Sequence, residues 1–154
     1  MSENSWDAFT RSLTEVLARL PVDGILVVVK ADNRSHYVQF SQSSDELYAE
    51  VASSPDPPNL ISVSPAAEEA LRKAGWQEPD RSRSEMNWSY ELPWPAPWES
   101  YLELSLTVTT FLRDTLAVDS PMSLVHRSWL AETNEPLRLP ALGIPPAPEE
   151  AGPA

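Results

Sequence analysis

Side chains able to do chemistry are few in this chain, and their spacing excludes most of the usual reactions. Histidine occurs at positions 36 and 126 and cysteine not at all. Without cysteine there is no disulfide, thiolate nucleophile, iron–sulfur cluster or cysteine-ligated zinc. The two histidines share no HxH, HxxxH or HExxH spacing, so no metal site is expected. Glycines at 24, 75, 143 and 152 cannot supply a GxGxxG or GxxxxGK phosphate loop, and no GxSxG elbow activates any of the serines. The adjacent acids Asp45-Glu46 and Glu68-Glu69 lie in polar stretches, where such pairs form solvated faces rather than acid–base dyads. The expectation is therefore a non-enzymatic protein with no catalytic residue, cofactor or metal. The alternative is a small-molecule-binding domain or enzyme with a pocket near His36, which has Tyr37 beside it.

Aromatic residues are the more informative set. Trp88, Trp94 and Trp98 crowd into WSYELPWPAPW. One reading is an aromatic groove for a peptide. The structural reading, which is favoured, places Trp88 in the core and uses Trp94 and Trp98 to seal a strand-to-helix corner, since tryptophan buries a large area with few rotors.

The elements that must position these residues follow from hydrophobic periodicity. Trp6, Phe9, Leu13, Val16, Leu17 and Leu20 fall on one helical face, with Ser5 as N-cap and Pro21 as stop. Ile25–Val29 is short, β-branched and apolar on both sides, as a buried central strand is. His36–Phe40 alternates, as does Leu47–Val51, so these three runs form an antiparallel meander. Tyr37, Gln39, Tyr48 and Glu50 then share its polar side. Ser54–Pro58 must be loop, because successive prolines cannot donate to a ladder. Ser64-Pro65 starts a short helix over 65–74 that Gly75 ends. Met86, Trp88, Tyr90 and Leu92 alternate as a half-buried strand that Pro93 ends. A helix then runs from Pro97 to about Leu116, with Tyr101, Leu104, Val108, Phe111, Leu112 and Thr115 on one face. Leu124–Leu130 fits either a short strand or a helical turn. The predicted fold is α+β, an antiparallel sheet with helices on one face, in the order α-β-β-β-α-β-(β)-α. A single domain spans 1–139, and 140–154 reads as a proline-rich flexible tail.

Bulk properties narrow the partners. The chain has 154 residues, 42% of them hydrophobic, 16 prolines and a net charge of −12. That length supports a real core without disulfides. An acidic surface repels phosphate backbones and anionic lipid, so nucleic acid and membrane are not expected partners. No run reaches the roughly 20 apolar residues needed to span a bilayer, and the first residues lack the basic and apolar regions of a signal peptide. A cytoplasmic location is the resulting expectation.

Several structural positions resemble the actinobacterial TY-Chap domains, relatives of type III secretion chaperones and of the YbjN family. They are Trp6, Phe9 and Leu20, the Asp23-Gly24 turn, the Tyr37–Phe40 strand, Gly75-Trp76 with Pro79, Asn87-Trp88, Trp94-Pro95-Ala96, Tyr101 with Leu104, and Arg113, Val118 and Pro121. The resemblance covers roughly Trp6 to Gly143. It implies a type III secretion chaperone-like fold and a chaperone-like or adaptor module. Such a module acts as a homodimer that holds a segment of a partner protein. The candidate contact residues are Tyr37, Gln39, Tyr48 and Glu50 with the 65–74 helix, and the aromatic pair Trp94 and Trp98. An exposed strand edge would let a partner strand add.

Overall fold

The fold is described from a computed structural model, over residues 5–53, 60–83 and 85–148. Helix α1 (Ser5–Arg19) buries Trp6, Phe9, Leu13, Val16 and Leu17, the face its periodicity marks. Strands β1 (Gly24–Lys30), β2 (Asn33–Gln42) and β3 (Glu46–Val51) follow as an antiparallel meander. Helix α2 (Pro65–Lys73) starts at Ser64, whose hydroxyl accepts from the Ala67 N–H at 3.1 Å. It ends at Gly75, which has φ +94°. The Trp76 N–H reaches back to the Leu71 carbonyl at 2.9 Å, the bond that closes a left-handed C-terminal cap. Strand β4 (Trp88–Pro93), helix α3 (Trp98–Thr110) and strand β5 (Leu124–Leu130) complete the order.

The five strands form one antiparallel sheet in the spatial order β4-β3-β2-β1-β5. Alternation gives it an inner face of Leu26, Val28, Val38, Phe40, Leu47, Ala49, Val51, Trp88, Leu92 and Leu124, all buried. Helices α1 and α3 lie against that face and each other, and α2 adds Leu71 to the same core. The fold class expected from sequence is therefore the observed one.

Three details differ from the expectation. The fifth strand is real, but it follows α3 rather than preceding it, and it pairs with the far side of β1. This makes β1 an interior strand next to an edge, and Ile25 and Val27 on its outer side are only half-buried. The last helix leaves α-geometry at Phe111 and continues as a π-turn to Thr115. Met86 lies outside β4 and is exposed.

The predicted boundary at residue 139 also moves. Leu142 and Ile144 belong to the core, and the short turn Pro140–Leu142 rests against α1. The segment docks along β5: the His126 N–H donates to the Pro145 carbonyl at 3.0 Å and the Ala147 N–H to the His126 carbonyl at 2.7 Å. Proline cannot donate to a ladder but keeps its carbonyl, so a proline-rich stretch can line an edge strand as an acceptor. Two apolar anchors are too few to register as a period. The rest of the predicted tail lies outside the described residues, as does the Ser54–Pro58 loop.

Both sheet edges are occupied over part of their length. On β5, besides the bonds at His126, the Leu137 N–H meets the Ser128 carbonyl and the Leu130 N–H meets the Glu135 carbonyl. On β4, Gln77 and Ser89 exchange both backbone bonds, and Pro93 at its end has no N–H to offer. The chain's own backbone thus fills much of the β5 edge expected for strand addition, but on β4 it pairs with Ser89 alone among the described residues.

Candidate functional site

The outer face of the sheet carries no helix among the described residues. Its composition follows from the same alternation that builds the core: every second residue of each strand must point away from α1 and α3. Tyr37 and Gln39 of β2 and Tyr48 and Glu50 of β3 all lie here, half-buried. Gln39 is directly opposite Glu50, and Ser41 opposite Tyr48. Four of the six sequence-derived candidates therefore form one patch.

Asn87, which the sequence marks as a family-like position but not as a contact residue, holds two members of the patch in place. Its Nδ2 donates to the Tyr37 hydroxyl at 3.0 Å and to Glu50 Oε2 at 3.1 Å. These bonds tie β2, β3 and the entry to β4 at the level of their side chains. Partial burial raises the Tyr48 phenol above its ordinary pKa; the Ser89 hydrogen bond opposes this and the Glu50 carboxylate adds to it. Tyr48 thus stays neutral at physiological pH.

On the β1–β5 side the outer face hollows into a shallow groove of about 240 Å³ lined by Val27, Val29, Arg34, Tyr37, Gln39, Arg127 and Trp129. The Arg127 guanidinium lies 5.7 Å from the centroid of the Trp129 ring, within cation–π range. The sequence alone does not identify Arg127 and Trp129, because Leu124–Leu130 fits either a strand or a helical turn. The alternation Val125, Arg127, Trp129 is the signal that identifies them.

Other candidates fall elsewhere. Helix α2 lies on the inner side of the sheet, so it does not join Tyr37, Gln39, Tyr48 and Glu50 in a single surface. It flanks an apolar groove of about 430 Å³ against α3, with Ala66, Ala67 and Ala70 facing Leu106, Thr110 and Phe111. Trp88 is buried, as its structural reading requires. Trp94 and Trp98 stand at the β4–α3 corner, 40% and 49% exposed, and line neither groove.

The two histidines line neither groove. His36, in β2, is half-buried near Lys30 and Asp32; burial and then Lys30 lower its pKa, and Asp32 partly offsets them. His126 is buried on the inner face opposite Val28, with its pKa lowered by burial against the opposing hydrogen bonds to the Ile144 and Pro145 backbone. Among the described residues, no group of three or more His, Asp or Glu side chains is placed to hold a metal ion, and no helix is long and apolar enough to cross a membrane.

Comparison with known proteins adds one finding. A family model described as "T3SS (YopN, CesT) and YbjN peptide-binding chaperone 3", TY-Chap3, matches residues 2–130. No curated protein and no solved structure matches this chain. The chain belongs to the TY-Chap3 family of peptide-binding chaperone domains.

Proposed function

We propose that this protein is a non-enzymatic chaperone or adaptor that acts as a cytoplasmic homodimer and holds an extended segment of a partner protein on the outer face of its sheet. The observation that carries this reading is the helix-free face itself. Tyr37, Gln39, Tyr48 and Glu50 stand together there, half-exposed, with Tyr37 and Glu50 held by Asn87. Aromatic side chains with fixed rotamers give contact area at low entropic cost, and their hydroxyls with the Gln39 amide can bond a peptide backbone of any sequence. Because the β5 edge is lined by the chain's own backbone and β4 is bridged at Ser89 and ends at Pro93, the face is the stronger candidate than strand addition. The peptide-binding description of the family supports the same class of partner.

The test compares the proteins recovered from the native host by the wild type with those recovered by Tyr37→Lys and Tyr48→Lys, each first shown to be folded by circular dichroism. Selective loss of partners in both variants is expected. Undiminished recovery by both would remove this face from the binding site.

A further inference from the structure

The outer face is electrically polarised across its strands, and this bears on which segments it accepts. Cross-strand pairing places Ser89, Glu50, Gln39, Val27 and Arg127 in one row that runs from β4 to β5. The row has an acid towards one end, a base at the other and an apolar residue between them. Among the described residues neither charge is neutralised: Glu50 is hydrogen-bonded to the neutral Asn87 amide, and Arg127 lies over the Trp129 ring. From β3 to β5 are three strand steps of about 4.8 Å, or roughly 14 Å. An extended peptide advances about 3.3 Å per residue, so residues i and i+4 are about 13 Å apart and point to the same side.

We infer that the outer face selects extended segments of the pattern acid-x-apolar-x-base, laid across the strands. The acidic side chain meets Arg127, the apolar one rests on Val27 beside Trp129, and the basic one meets Glu50. The inference deepens the binding role proposed above and rests on it. It also runs against the net charge of −12, which by itself would favour a uniformly basic partner. The occupant is a segment of another protein; a second copy of this chain is the competing occupant.

Fluorescence polarisation with two labelled synthetic peptides of equal composition tests it. One carries Asp-Ser-Leu-Ser-Lys between Gly-Ser flanks, and the other has the Asp and Lys placed next to each other. Half-exposed ion pairs contribute modestly, so the patterned peptide should bind at least about threefold more tightly at low salt. That ratio should shrink towards one at high salt. Arg127→Glu should abolish the preference, and a peptide with Lys in place of Asp should recover it on that variant. Val27→Asp, or Gln39→Arg if the former fails to fold, should weaken both peptides. Equal binding of the two peptides, both weakened by Val27→Asp, would overturn the charge pattern and leave the face as the binding site. Binding unaffected by Val27→Asp and Gln39→Arg, or no binding at all, would overturn both. A wild-type dimer that Arg127→Glu converts to monomer would assign the face to a second copy and overturn the inference.

Discussion

Two threonine hydroxyls show how single groups specify the way the helices meet. Thr10 Oγ1 is 2.8 Å from the Trp6 carbonyl and 2.9 Å from Thr109 Oγ1, all buried. Each hydroxyl has one proton. Thr10 therefore donates to its own helix and accepts from Thr109, which joins α1 to α3 by a single directional bond. A buried hydrogen bond contributes about 1 kcal/mol net, and an orphaned partner costs more. Thr109→Val and Thr10→Val should each destabilise the protein by about 1–2 kcal/mol. The double variant should fall short of their sum by about 0.5–1.5 kcal/mol, as contacting pairs do. Urea unfolding of the four proteins measures this coupling; full additivity would mean that the two hydroxyls act separately. No sequence pattern foretells such a bond, because Thr10 and Thr109 are 99 positions apart and threonine is common on solvated helix faces. Tyr37, Gln39, Tyr48 and Glu50 were legible because strand alternation alone places them. Asn87 was not, because it precedes β4 and its role depends on two strands that approach it only in the folded chain.

At the scale of elements, strong periodicity carried over and weak periodicity did not. The faces of α1 and α3 and the alternation of β2, β3 and β4 each stand on several apolar residues, so their buried sides could be read directly. Strand β5 has three bulky residues on one side and a histidine among those on the other, and the Pro140–Ala147 segment has two apolar anchors. Long-range pairing decides both. That pairing centres on His126, whose buried imidazole abuts the Ile144–Pro145 backbone and has a lowered pKa. The unfolded chain, with an ordinary imidazole pKa of about 6.5, takes up a proton before the folded chain does. Stability linked to His126 is thus complete above that pKa and is lost as pH falls through it towards the lowered folded-state value. His36 is shifted in the same direction and adds to the effect. Unfolding free energy should fall from pH 8 to pH 6, with a slope of at most about 1.4 kcal/mol per pH unit for each proton. His126→Gln should flatten that slope while lowering stability throughout. A wild type equally stable at both pH values would show that burial does not control these protons.

For the whole molecule, the net charge of −12 keeps copies apart at long range, yet the proposed homodimer needs them to meet. Screening resolves this: at physiological salt repulsion fades beyond about 8 Å, so apolar contact can prevail at close approach. Light scattering should give a mass near twice the 17.1 kDa of one chain, and the dimer fraction should rise with salt. A single-chain mass at high concentration and high salt would refute the dimer. The occupied sheet edges have a further consequence at this scale. A protein that handles extended chains keeps company with the segments most apt to stack into fibrils, and a bare β-edge would offer them a template. By setting Gln77 against Ser89 of β4, ending that strand at Pro93 and folding its own proline-rich segment along β5, the chain leaves less bare edge to serve as such a template, as the proposed role would require.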